Sequence, residues 1–277
     1  MKSVVWPLAE GVQHGVEQGE GVPVLLVHGS LCDCRYWQAQ MAPLAGAGWR
    51  VIAVSLRRCY PERWDGQGDG FSSERHVADL IELIGEHLRE PVHLVGHSRG
   101  GNLALRLAAQ RPDLLRSLVL ADPGGDYAVE LFQASGLEAP PAPARRNLFR
   151  EEALRLIRVG ELEAGMQLFV DTVSGAGIWQ RSSARFRQMA LDNAFTLVGQ
   201  VRDRPGVIGA DLLHGIRRPT LLLGGERSPA PFPQVLRMLA RQLPDARCEI
   251  LPGVSHGMNV QRPAQFNRLL REFIETL

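Results

Sequence analysis

Val92-His93-Leu94-Val95-Gly96-His97-Ser98-Arg99-Gly100-Gly101 is the stretch that decides the fold. Residues 92–95 have the size and apolar character of a strand buried on both faces, and residues 102–109 have a helical pattern. Between them, Gly96-His97-Ser98-Arg99-Gly100 fits G-x-S-x-G, a sharp strand-to-helix turn. A serine on such a turn holds strained backbone angles, and the flanking glycines let neighbouring backbone come close. The serine also sits at a helix N-terminus, where free N–H groups and the dipole favour a developing negative charge. Ser98 is therefore the candidate nucleophile. The backbone N–H of Arg99 is a candidate donor to an oxyanion.

Similar apolar runs recur at residues 24–27, 51–54, 118–120, 220–223 and 248–251. Helical patterns fill the gaps, near residues 36–45, 74–88, 100–110, 233–242 and 263–276. This alternation predicts an α/β fold, with a mostly parallel central sheet and helices on both faces. Two segments near residues 3–6 and 12–17 alternate polar and apolar residues, as an antiparallel edge hairpin does, bringing the count to about eight strands. One gap is too long for a simple crossover: 97 residues separate Asp122 from Thr220. It opens with Gly124-Gly125 and an Ala/Pro patch, then shows helical patterns near residues 145–159, 162–173 and 182–197. The division expected is a core of residues 1–123 and 218–277, with a helical cap inserted at 124–217.

A serine hydroxyl needs a base. His256 is the best of the eight histidines, in Pro252-Gly253-Val254-Ser255-His256-Gly257 just after the last apolar run. That places it on a loop at the carboxyl end of a strand, where open α/β sheets carry their sites. His97 adjoins Ser98, but adjacent side chains on a turn point apart. His14, His76, His87, His93 and His214 fall on edges or helix faces, in structural settings. An imidazole base also predicts activity that falls as pH drops through neutrality. The loop His28-Gly29-Ser30 follows the run at 24–27 and can offer a second backbone N–H to the oxyanion, from Ser30 first and Leu31 second.

These pieces, in this order, resemble the α/β-hydrolase superfamily over nearly the whole chain. The resemblance rests on Gly19-Glu20-Gly21-Val22-Pro23-Val24-Leu25-Leu26-Val27-His28-Gly29, the Gly-His-Ser-Arg-Gly-Gly elbow, the cap-like insert, and Pro252-Gly253-Val254-Ser255-His256. Arg262-Pro263 and Phe266 resemble the start of the family's final helix. One position departs from the commonest pattern. Many relatives place an aspartate after the penultimate strand in Gly-x-x-Asp, whereas here Leu223-Gly224-Gly225-Glu226-Arg227-Ser228-Pro229 puts Ser228 there. A neutral serine cannot stabilise an imidazolium as a carboxylate does. Asp122, ending the run at 118–121, is the favoured acid, as in family members that carry it on that strand. Glu226 is the alternative.

The resemblance implies a serine hydrolase with a helical cap, acting on an ester, thioester or lactone of a small apolar substrate, with no metal or organic cofactor. Carbon–carbon bond hydrolysis and perhydrolysis use similar machinery in relatives. A slow-turnover ligand receptor on the same fold is the reading from another class. Serine at the elbow argues against the branches that use aspartate there. Leu31, Trp179 and Met258 are candidate substrate contacts, the first and last by proximity to the machinery and Trp179 by its place after Gly175-Ala176-Gly177.

Composition removes other classes. The 277 residues carry 31 basic and 30 acidic side chains, a net charge of +1, with Lys2 the only lysine. No global field exists to draw the chain to nucleic acid or an anionic membrane. Apolar runs such as residues 22–27 are strand-sized, and residues 1–10 show no signal-peptide pattern. Cys32, Cys34, Cys59 and Cys248 have neither zinc spacing nor a disulfide framework, which suits free thiols in a cytoplasmic protein. Asp65-Gly66-Gln67-Gly68-Asp69-Gly70 is like the start of a calcium loop, but position twelve is His76, so a Gly-rich loop is expected instead. Nothing in the sequence sets the oligomeric state.

Overall fold

The apolar runs become the strands of one eight-stranded sheet in the computed structural model, which describes residues 1–277 except the side chains of 143–146. The strands are β1 (Lys2–Leu8), β2 (Gly11–Gln18), β3 (Pro23–Val27), β4 (Arg50–Ser55), β5 (Val92–His97), β6 (Leu115–Ala121), β7 (Thr220–Gly225) and β8 (Ala246–Leu251). Their spatial order is β1-β2-β4-β3-β5-β6-β7-β8. The hairpin β1–β2 is antiparallel and joins β4 antiparallel, and every pairing from β4 to β8 is parallel.

Side chains alternate across a strand, and each face meets its own helices. Leu25, Val27, Leu94 and Leu120 point to one face, against Leu80 of the helix Ser73–Glu82, Leu103 of Arg99–Gln110 and Leu239 of Phe232–Gln242. Val24, Leu26, Val95 and Val119 point to the other, against Met41 of Gln38–Ala45 and Phe266 of Pro263–Ile274. Both faces are thus covered, which explains why these runs read as continuously apolar.

Seven helices lie between β6 and β7. Those at Pro143–Arg158, Leu162–Ser174, Ile178–Arg181, Ala184–Asp192 and Thr196–Arg202 build an apolar cluster of their own around Met166, Phe169, Trp179 and Leu197. The first and last, Val129–Ala134 and Ala210–His214, instead give Leu131, Phe132 and Leu213 to the sheet's core. A parallel bridge from Tyr127 to Ile208 draws the two ends of the insert together. The single helix expected near residues 182–197 is two helices, ending at Asp192 and resuming at Thr196. Asn193 makes the break: its amide donates to the Met189 carbonyl and to Asp33 (both 2.8 Å), and its Oδ1 accepts the Tyr60 N–H (2.8 Å). A side chain so engaged competes with the helical ladder.

Candidate active site

Ser98 lies where β5 turns into the helix Arg99–Gln110, with φ 53° and ψ −117°. The turn is held from both sides: Ser98 N–H donates to the Ala121 carbonyl (3.0 Å), and the Ser98 carbonyl accepts Gly124 N–H (2.9 Å). The need for glycine is steric. A Cβ on Gly100 would fall 2.3 Å from the Val27 carbonyl oxygen. One on Gly29 would fall 2.9 Å from His97 Nδ1 and 3.0 Å from Ser98 Cβ, so the loop after β3 presses directly on the elbow. Ser30 and Leu31 follow at that contact, Leu31 with φ 58°. Arg99 opens its helix, so its N–H has no partner within the helical ladder.

Asp122 follows β6, 1% exposed and with φ 41°. Its Oδ2 lies 3.2 Å from His256 Nδ1 and accepts the Ser228 hydroxyl at 2.5 Å. A carboxylate there makes Nδ1 the protonated nitrogen and leaves the Nε2 lone pair free to act as base. The His256 ring is packed between Phe232, with centroids 4.0 Å apart and nearly parallel, and His97, 4.5 Å away. His97 Nε2–H donates to the His256 carbonyl (2.8 Å). Glu226 is engaged elsewhere, accepting the Gly253 N–H at 2.7 Å.

Burial disfavours charge on both members of the pair. It pushes His256 down to about 3, and it pushes Asp122 up to about 7 against the opposing pull of the Ser228 hydrogen bond. The group that gains a proton near neutrality is thus the carboxyl. If catalysis uses this pair, kcat/KM should fall along an acid limb as pH drops through about 7, where the Asp122 carboxylate beside His256 becomes neutral. Ser228→Ala removes the hydrogen bond that holds this pKa down. It should move the limb upward and cut kcat at pH 7 roughly tenfold, the scale of one hydrogen bond to a charged group. A limb unmoved in a pH–rate series on Ser228→Ala would detach Ser228 from the titration.

The sequence-proposed substrate contacts are all buried. Leu31 (3% exposed) and Trp179 (1%) share the apolar cluster of the insert, and Met258 (0%) packs with Trp37 and Phe266 beneath the sheet. Phe232 and the contacts of Ser228 and His97 were not read from the sequence. Only Ser228 left a trace, standing where the family more often has its acid. Cys32, Cys34 and Cys59 are buried free thiols, and Cys248 is an exposed one. Among the described residues no helix is long and apolar enough to cross a membrane.

A sheet of this order, with a serine elbow after β5 and a histidine after β8 held by an acid after β6, belongs to one class of fold. The chain is a member of the alpha/beta hydrolase family, whose model matches residues 24–269. It is 26% identical over 254 residues to the pimeloyl-[acyl-carrier protein] methyl ester esterase of Neisseria meningitidis serogroup B, covering 91% of this chain and 92% of that one. It is 27% identical over 277 aligned positions to the non-heme chloroperoxidase CPO-A1 of Kitasatospora aureofaciens, covering 92% and 93%. In structure it is similar to a thermophilic esterase from Thermogutta terrifontis, with a TM-score of 0.77, 24% identity, and coverage of 100% and 99%.

Proposed function

We propose that the protein is a serine esterase working through a Ser98–His256–Asp122 triad. The observation that carries the reading is the buried Asp122 Oδ2 to His256 Nδ1 contact of 3.2 Å, with the His256 ring 4.5 Å from that of His97, the residue before Ser98 on the strained elbow. In the first step Ser98 Oγ attacks the ester carbonyl while His256 Nε2 takes its proton. The carbonyl oxygen becomes an oxyanion, held by the N–H groups of Arg99 and Ser30. Collapse breaks the bond to the leaving alcohol, which receives the proton from His256, and leaves an acyl group on Ser98. Water then repeats the sequence, with His256 as base, and releases the acid. Asp122 keeps its charge throughout and steadies the imidazolium.

Two features favour an ester of a small apolar acid. Leu31, in the loop proposed to hold the oxyanion, joins the apolar cluster of the insert, so the side chains packed about that loop are hydrocarbon. The esterase named above acts, by its name, on a methyl ester, and it aligns over almost the whole chain. A perhydrolase reading, with peroxide replacing water in the second step, draws support from the similarity to the chloroperoxidase. Both chemistries share the acyl-enzyme. A fluorophosphonate probe should therefore label Ser98 stoichiometrically, and p-nitrophenyl acetate and butyrate should give a burst followed by steady turnover. Absence of both the adduct and the burst in folded protein would leave the receptor reading in its place.

A further inference from the structure

Three working segments of the proposed site are tied to the insert by a polar contact within three residues of the functional group. Arg99, whose N–H is assigned to the oxyanion, sends its guanidinium Nη1 to Asp203 Oδ2 at 3.0 Å, with side-chain exposures of only 13% and 5%. The same Asp203 oxygen accepts the N–H and hydroxyl of Ser73 (3.0 and 2.6 Å), so it is fixed from the core side as well. On the other oxyanion segment, Asp33 is fully buried and its Oδ2 accepts the Asn193 amide at 2.8 Å. At the base, the Ser255 hydroxyl donates to the Ser174 carbonyl at 2.5 Å. Asp203, Asn193 and Ser174 all belong to the insert.

We infer that Asp203 and Asn193 are positioning residues of the catalytic centre, so that docking of the helical insert is what holds the two oxyanion-hole segments at their working separation. This rests on the esterase reading above. The physical argument is directional. Apolar packing could seat the insert over the sheet without fixing the orientation of any one peptide N–H. A charged hydrogen bond fixes both distance and angle. Arg99 carries the donor N–H and the latch on one residue, so a shift of its side chain is transmitted to its own backbone. Releasing Asp203 would also leave a buried guanidinium without its counter-charge, which makes partial undocking costly and keeps the docked state well defined. Oxyanion stabilisation depends on donors set in place before charge develops, and misplacement by about 1 Å can cost ~100-fold in rate.

The test uses the full chain carrying Asp203→Asn, Asp203→Glu or Asn193→Ala, with p-nitrophenyl acetate as substrate. It adds a trifluoromethyl ketone whose hydroxyl adduct with Ser98 places an oxyanion in the hole. The expected result is kcat lowered by ~10- to ~100-fold with KM changed less than about twofold. Affinity for the ketone should fall by the same factor as kcat. Asp203→Glu, which restores the charge, should recover part of both. Asn193→Ala leaves no charge unpaired, because Asp33 keeps Arg35 at 2.7 Å, so it carries the test if Asp203→Asn does not fold. Unchanged kcat and ketone affinity alongside a lowered melting temperature would overturn the inference, and so would a raised KM at constant kcat. Failure of the esterase reading would show separately, in the unsubstituted protein, as absence of both the fluorophosphonate adduct and the burst.

Discussion

Ser98→Ala should abolish ester turnover, with a loss approaching ~10⁶-fold in kcat, while the protein remains folded. The substitution removes the only atom that forms a bond to substrate. It leaves the elbow's backbone hydrogen bonds, Ser98 N–H to Ala121 and Gly124 N–H to Ser98, intact because both are main-chain. The N–H of Arg99 also stays, so some acceleration over water should persist from the oxyanion hole and binding. The measurement is steady-state turnover of p-nitrophenyl esters, joined to intact-mass analysis after fluorophosphonate treatment and a thermal melt. The wild type should gain one adduct and the variant none, with similar melting curves. More than a tenth of wild-type turnover in the variant, free of contaminating esterase, would rule out a covalent serine mechanism.

The elements that were legible in the sequence are those whose signals are local. The runs at 24–27, 92–95 and 118–120 sit inside β3, β5 and β6, because a strand buried on both faces must be apolar at every position. The edge hairpin was legible for the opposite reason, since one exposed face imposes alternation. The elbow was legible because steric need places glycine at positions 96 and 100 whatever the rest of the chain does. Contacts between distant segments left no such mark. His256 meets Asp122 across 134 positions, and Ser228 meets the same oxygen across 106. Choosing Asp122 over Glu226 from sequence needed a family resemblance, and the distances then placed Asp122 on the imidazole and Glu226 on Gly253. The split at Asn193 was invisible because its cause, the buried carboxylate of Asp33, lies 160 positions away. Periodicity also says nothing of how completely the His256 loop is enclosed: burial lowers that imidazole to about 3 and raises Asp122 to about 7, so the acid limb expected from the sequence for the base is here expected for the carboxyl.

Asp122→Asn should lower turnover by about 10⁴-fold and at the same time make the fold more stable at pH 8. The activity follows from charge: an amide of the same shape no longer steadies the imidazolium and no longer selects the Nδ1–H tautomer. Glu226→Gln should cost little by comparison, because its carboxylate serves the Gly253 N–H at the protein surface. The stability follows from linkage. Burial raises Asp122 from 3.8 to about 7, so the folded protein holds that proton more tightly than the unfolded chain does. Its contribution is favourable below about 4 and is lost as pH rises through about 7. Above that, the folded protein carries a buried carboxylate at a cost on the order of a few kcal/mol, which the neutral asparagine avoids. His256 has the reverse sign: pushed down to about 3, it contributes stability above 6.5 that is lost as pH falls. In the wild type the two slopes oppose each other between about 4 and 6.5. In the variant the histidine slope is unopposed, so the advantage of asparagine should grow from pH 5 to pH 8. Among the other buried histidines His97 feels the Asp122 charge, which raises its proton affinity, so losing that charge works in the same direction, and the rest cancel in the difference. Paired thermal melts at pH 5 and 8, beside kcat, test both halves. An inactive variant that is less stable at pH 8 than at pH 5, relative to wild type, would mean that Asp122 stabilises the fold as a charged group. An active variant would remove it from the triad.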